Sequence, residues 1–261
     1  MLRDYTPIVY HSSNRVCLYY GQQKIRSCLC PDKPFMTELS DLQHTIINCQ
    51  LCPRLIEHCT TIAREKRRLY MDWDYWGKPL PSVGDPKAQL LIMGLAPAAH
   101  GGNRTGRMFT GDRSGDWVFR ALHKFGFASS PDSHNRNDGM VIKNAYITGA
   151  LRCAPPQNKP TTAELANCQQ YLLQEIHLLS NVKAVIAFGK IGFDTYLRAL
   201  KILNIYTNEP LAKFGHNLEY HMSNETTLIG SYHPSQQNTQ TGRLTEEMFD
   251  DVFRTALGCL N

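Results

Sequence analysis

The residues of this 261-residue chain that could do chemistry fall into three polar stretches and one set of cysteines. The first stretch, residues 94–112, reads Gly-Leu-Ala-Pro-Ala-Ala-His-Gly-Gly-Asn-Arg-Thr-Gly-Arg-Met-Phe-Thr-Gly-Asp and carries His100, Arg104, Arg107, Phe109 and Asp112. The second, 152–160, is Arg-Cys-Ala-Pro-Pro-Gln-Asn-Lys-Pro and holds Asn158 and Lys159. The third, 231–244, is Ser-Tyr-His-Pro-Ser-Gln-Gln-Asn-Thr-Gln-Thr-Gly-Arg-Leu and holds His233 and Arg243. Three nucleotide and acyl-transfer motifs are excluded. Gly189-Lys190 is followed by Ile191 where a Walker A loop needs Ser or Thr, no G-x-G-x-x-G follows a strand, and Gly230-Ser231-Tyr232 is not a nucleophile elbow.

The cysteines that stand out are Cys49-x2-Cys52, then Cys153 about a hundred residues on, then Cys168. Four thiolates in this order suit either tetrahedral zinc or a [4Fe-4S] cluster, and the spacing does not choose between them. The C-x3-C-x2-C pattern of radical enzymes is absent. Four cysteine ligands would leave no open position for substrate, so the expected role is a staple between an amino-terminal helix and a sheet.

The elements that must position these groups follow from periodicity. Residues 90–93 read as a buried strand, and the long loop after them leads to a helix carrying Trp117, Ala121, Leu122 and Phe125, with Ser114 available as its N-cap. An ordinary crossover loop would be shorter. Further strands are expected at 145–151, 182–188 and 227–232. Helices are expected from Thr37, from Thr161 with Glu164 completing a capping box, over 190–203, and from Thr245. Strands alternating with helices predict an α/β three-layer sandwich around a mostly parallel four-stranded sheet. In such a sheet the loops beyond the carboxyl ends of the strands hold the ligand, and the three polar stretches lie there.

Composition sets outer bounds. A formal net charge of +5 and a pI near 8.7 are compatible with a polyanionic partner without identifying one. The run Arg64-Glu-Lys-Arg-Arg68 reads as a solvated helix face rather than a nucleic-acid contact. No apolar run approaches the roughly 18 residues of a membrane span, and no secretory h-region is present, so a soluble, cytoplasmic monomer is expected. Nine cysteines in such a chain favour metal or free thiols over disulfides. Residues 1–35 lack sustained periodicity and read as an extension preceding a single domain at 36–261, with Met36 as the expected original start. Cys28-x-Cys30 in that extension reads as two free thiols.

Taken together, the three stretches resemble the family 5 uracil-DNA glycosylases, the iron-sulfur branch of the uracil-DNA glycosylase superfamily. The resemblance covers roughly residues 45–250. It implies that Cys49, Cys52, Cys153 and Cys168 bind a [4Fe-4S] cluster, and that DNA, single- or double-stranded and containing deaminated bases, is the partner. It also implies excision of uracil, hypoxanthine, xanthine and some etheno bases.

The residue types agree with what cleaving an N-glycosidic bond requires: a flipped nucleotide, a flat platform for the base, charge compensation at the sugar and donors for the departing base. Phe109 can stack on the base. His233 can donate to a base carbonyl, and Asn158 can bond the sugar, a water or the base edge. Sister families carry an acidic or amide residue directly before the proline of the first motif; here that position is Ala96, which activates nothing. The resemblance moves the carboxylate to Asp112, which would orient water and stabilise positive charge on C1′. Backbone amides of Gly94, Leu95, Ala96, Pro97 and Ala98, the proline contributing shape only, would read the base beside His100. Arg104, Arg107, Lys159 and Arg243 suit phosphates. Each role has a structural competitor: a helix cap for Asp112, core packing for Phe109, a loop tie for His233, a turn for Asn158. Two other classes remain, a noncatalytic damaged-nucleic-acid binding module and a zinc-stapled nucleoside or nucleotide hydrolase.

Overall fold

The computed structural model describes residues 8–12, 15–19, 38–206 and 212–260. Backbone contacts divide the chain into two units, Met1–Thr37 and Glu38–Asn261. The first contains an antiparallel hairpin of β1 (Ile8–Ser12) and β2 (Arg15–Tyr19), paired from Ile8↔Tyr19 to Ser12↔Arg15. No strand was expected there. Cys28 and Cys30 lie outside the described residues.

The second unit is built on β4 (Leu90–Gly94), β5 (Ala145–Gly149), β6 (Ala184–Phe188) and β8 (Thr227–Ser231), every residue of which is buried. These four are parallel neighbours in the order β5-β4-β6-β8. The expected four-stranded sheet is corrected to six. Val83–Gly84 (β3) and Glu219–His221 (β7) add antiparallel edges, giving the mixed order β3-β5-β4-β6-β8-β7. Strands of two and three residues carry no readable alternation, which is why the edges were missed.

Both sheet faces are covered, as a parallel sheet requires. Along β4, Leu90 and Ile92 face one layer and Leu91 and Met93 the other. The first layer is α4 (Arg113–Lys124) and α8 (Glu246–Gly258), through Val118, Phe119, Phe249 and Phe253. The second is α5 (Thr162–Leu178) and α6 (Lys190–Ile202), through Leu172, Leu173, Phe193 and Tyr196, with Leu39 of α1 (Leu39–Ile47) packed against it. Residues 53–65 form α2 (Pro53–Glu65), and two short helices, α3 (Gly102–Thr105) and α7 (Gln236–Gln240), lie in the first and third polar stretches. The capping box on α5 is complete: Glu164 N–H donates to Thr161 Oγ1 at 3.2 Å and Thr161 N–H to Glu164 Oε2 at 2.8 Å. No described helix is long and apolar enough to cross a membrane.

Candidate active site

The loop after β4 folds back on the strand that launches it. The Phe109 ring lies across Gly94, where an added Cβ would come within 2.6 Å of the ring tip, so only glycine admits it. Phe109 itself adopts a left-handed backbone, φ +52°, unfavourable for a residue with a Cβ and tolerated where the surroundings over-determine it. Its ring is buried, edge-on to Phe188 at 5.6 Å and tilted toward the His233 ring at 6.4 Å. Packing thus occupies part of the platform expected of Phe109, and the side turned toward His233 is where a base could lie.

Two arginines brace this loop, which corrects their assignment to phosphates. Arg104 is only 4% exposed; its guanidinium sits in the corner formed by the nearly perpendicular rings of Tyr70 and Trp73, 3.9 and 4.0 Å from their centroids. Its Nε–H donates to His100 O at 2.7 Å and Nη2 to Gly111 O at 3.0 Å, tying the two limbs of the loop together. Arg107, equally buried, donates to Asp138, Ser133 Oγ and Thr110 Oγ1. Arg104 commits Nε and Nη2, and Arg107 all three of its guanidinium nitrogens, to partners inside the protein.

Asp112 is the N-cap of α4, the position expected of Ser114: its Oδ1 accepts from Gly115 N–H at 3.0 Å. Oδ2 points the other way, into the bend at Ala98 and Gly101, where a Cβ on Gly101 would collide with it. The cap therefore uses one oxygen and fixes the other beside the first stretch. Burial raises the Asp112 carboxyl above its ordinary range, opposed by the amides of Gly115 and Ser114. Burial also lowers His233 to about 4, so its imidazole is neutral near pH 7, with one N–H to donate. No side chain among the described residues bonds its ring; its backbone carbonyl accepts from Ser235 N–H and Asn238 Nδ2. His100 is held against Tyr75, Nδ1 to hydroxyl at 3.1 Å, and burial, then Arg67 and Arg104, keep it below its usual value.

The four expected cysteines line one small cavity. Cys49 and Cys52 come from the α1–α2 turn, Cys153 from the chain beyond β5 and Cys168 from α5; the walls include Leu51, Leu55, Ile56, Pro79, Leu151 and Tyr171. Arg54 fastens α2 to α5, its Nε and Nη2 donating to Glu164 at 2.7 and 2.8 Å. Arg152 lines the same cavity and is fully buried against Glu175, Nη2 to Oε2 at 2.6 Å. Glu175 also accepts from Ser82 Oγ and Thr148 Oγ1, each at 2.6 Å. Burial raises the thiol of Cys168 to about 12, and the Arg152 charge opposes that rise.

Comparison with known proteins places this geometry. Residues 81–257 match the family model of the uracil DNA glycosylase superfamily. A type-5 uracil-DNA glycosylase from Mycobacterium tuberculosis is 45% identical over 219 residues, 84% of this chain and 80% of that protein. Those of Pyrobaculum aerophilum and Thermus thermophilus are 43% and 42% identical over 84% and 81% of this chain and 94% of their own length. This chain belongs to the type-5 uracil-DNA glycosylases.

Within this type-5 chain Phe109 lies against Gly94 and His233, and Asp112 lies against Gly101, itself beside Ala98. The structure places Asn158 elsewhere: exposed, with φ +57°, at the end of a turn whose Gln157 is also left-handed. No described contact joins Asn158 to Asp112, Phe109 or His233. Lys159 is exposed beside it, and Arg243 is exposed with its guanidinium 4.7 Å from the Tyr232 ring centre. At the first motif the N–H groups of Leu95, Ala96 and Ala98 have no acceptor among the described residues, while the carbonyls of Gly94 and Leu95 accept from Ala150 and Leu151. The residues that sequence reasoning overlooked are Gln43, Ser82, Thr148 and Glu175. Only Glu175 left a signal, a charge on the apolar face of α5, seven residues beyond Cys168 and three beyond Leu172.

Proposed function

We propose that this chain hydrolyses the N-glycosidic bond of uracil in DNA, and of hypoxanthine and xanthine by the same route. The observation that carries this reading is Asp112: a buried carboxylate with one oxygen capping a helix and the other held at the base-reading loop, across Phe109 from a neutral histidine. As the C1′–N bond breaks, its electron pair leaves with the base and positive charge develops at C1′. Asp112 stabilises that charge and orients a water whose oxygen adds to C1′, the water's proton passing to the carboxylate. The raised pKa of Asp112 makes it a better base than an ordinary aspartate. The His233 N–H and the amides of Leu95, Ala96 and Ala98 donate to the carbonyl edge of the departing base. A site read largely by backbone tolerates different ring shapes, which supports several deaminated bases as substrates. Asn158 is retained only as a contact to the strand outside this pocket.

The cysteine pocket fits a [4Fe-4S] cluster held by Cys49, Cys52, Cys153 and Cys168. No three Cys, His, Asp or Glu side chains among the described residues are grouped closely enough to share one metal ion. A single zinc needs all four sulfurs about 2.3 Å from one centre, whereas in a four-iron cluster each thiolate binds a different iron. Four thiols on walls otherwise formed largely by apolar side chains such as Leu51, Leu55, Ile56 and Leu151 are the donor set that such a cluster takes. The cluster supplies a covalent staple between the α1–α2 turn, β5 and α5, and no chemical step passes through it.

The test is single-turnover release of uracil and of hypoxanthine from matched duplexes at saturating protein. Asp112→Asn should slow both by similar factors, on the order of 10² or more, with DNA affinity kept, because asparagine caps a helix as well as aspartate does. His233→Ala should slow the two bases unequally, since they present different edges. Near-parental rates for Asp112→Asn on both bases would refute the assignment and leave Asp112 a helix cap.

A further inference from the structure

Of the basic run that reads as a solvated helix face, only Arg64 and Glu65 lie on one. Helix α2 ends at Glu65, Lys66 turns left-handed at φ +55°, and residues 67–71 form a separate turn closed by Tyr70 N–H to Arg67 O at 2.7 Å and Lys66 Nζ to Met71 O at 3.1 Å. This turn is docked on the base-reading loop. Tyr70 and Trp73 pack against the guanidinium of Arg104, which itself bridges His100 and Gly111, the residue before Asp112. Tyr75, whose hydroxyl accepts from Arg67 N–H, also meets His100, and Arg67 lies close enough for its charge to act there.

What this rigid turn presents outward is unusual for a surface. Leu69 is 75% exposed and Met71 53%, while Arg67 and Arg68 are exposed and form no ion pair among the described residues. By contrast the apolar side chains of the first and third stretches, Met108, Phe109 and Leu244, are all buried. A large aliphatic side chain held in water costs free energy unless a partner covers it. Two unpaired cations flanking it specify a polyanion, and extruding a nucleotide leaves a gap in the base stack that an apolar side chain can fill.

We propose that residues 67–71 form a DNA-contact surface in which Arg67 and Arg68 take phosphates beside the extruded nucleotide and Leu69 enters the opened base stack. This rests on the glycosylase reading for its substrate, but not for its binding test. For binding, Arg67→Ala/Arg68→Ala is compared with the parent on an undamaged duplex across a salt series. The slope of log K against log salt should flatten by about 1.8, since each phosphate contact contributes roughly 0.9. For the apolar contact, Leu69→Ala is assayed by single-turnover uracil release from a duplex and from the same strand alone. Duplex release should fall about tenfold and single-strand release should stay within about twofold, because only the duplex must be unstacked and unpaired. An unchanged slope, or an unchanged duplex-to-single-strand ratio, overturns the proposal. The two readings fail separately: a parent protein that binds DNA with the expected slope but releases no base refutes the glycosylase reading while leaving the cations of this surface in place.

Discussion

Arg104 and Arg152 are both buried arginines beside a functional stretch, and they are satisfied in opposite ways. Arg104 has two aromatic rings against it and carbonyls on Nε and Nη2, so the two limbs of the base-reading loop are tied by protein atoms. Arg152, one of the residues lining the cysteine cavity, is paired with Glu175 through Nη2, but its Nε has no partner. Buried polar groups are rarely left unpaired, and each exception asks for a cause. The limbs of the active-site loop are thus held to each other, whereas the four cysteines face a cavity. The left-handed Phe109, the capped Asp112 and the neutral His233 can stand ready for substrate because their strain is carried by Arg104 and Arg107.

The largest effects should fall on the cysteine region. Protein purified without oxygen should be brown with broad visible absorption. Cys49→Ala, Cys52→Ala, Cys153→Ala and Cys168→Ala should each lose that colour and most of the soluble yield. Cys59→Ala and Cys259→Ala should keep the colour: Cys59 bonds the Ala154 carbonyl at 3.7 Å, and Cys259 sits at the end of α8, where its thiol bonds Thr255 O. Stoichiometric zinc with no iron would reverse the comparison, making the pocket an ordinary metal staple.

The two buried ion pairs sharpen it. Breaking either Arg107–Asp138 or Arg152–Glu175 by removing one partner should cost about 3–5 kcal/mol in urea unfolding, because a buried charge is left alone. Asp138→Asn should leave the visible spectrum intact, while Glu175→Gln should also bleach it, as the freed Arg152 shifts against the cysteine pocket. Acid separates them further. Burial pushes the Asp138 carboxyl up, but Arg107 and the amides of His134, Met140 and Asn135 more than offset this and hold it well below the usual carboxylate range. Its stabilisation is therefore complete above the unfolded value of about 4 and is lost as pH falls from there toward the lower folded value. Asp138→Asn should erase that part of the acid unfolding profile; equal acid sensitivity in parent and variant would show that Asp138 is not the group responsible.

How much of this was legible in the sequence depended on the range of the forces involved. The parallel strands, the Thr161–Glu164 box and the positions of the site loops follow from local periodicity and capping, and they stand where expected. The four cysteines could be named by type, and their convergence on one cavity agrees with that choice. Arg104 and Arg107 could not be read, because whether a loop arginine meets phosphate or protein is decided by Tyr70, Trp73 and Asp138, which are distant in sequence. The same holds for Asp112, where the cap lay two residues from the expected Ser114 and turned out to use only one carboxylate oxygen. Edge strands β3 and β7 were invisible because two or three residues form no pattern.

The smallest effect is also the one that discriminates most finely between a buried and an exposed cation. Lys159 and Arg243 are exposed on the second and third stretches, and neither makes an ion pair among the described residues. If they meet the DNA backbone, Lys159→Ala and Arg243→Ala should each flatten the salt dependence of binding by about 0.9 in the slope of log K against log salt, with stability close to the parent's. Arg104→Lys should do the reverse. A lysine cannot bridge His100 O and Gly111 O while packing against two rings, since it lacks the planar fork, so the loop should loosen and the melting temperature fall while the salt slope stays at the parental value. The measurement is a salt titration of binding to undamaged duplex, paired with thermal unfolding for each variant. A flattened slope in Arg104→Lys would mean that the guanidinium leaves its aromatic corner to meet a phosphate, and the loop would then be assembled by DNA instead of standing preformed.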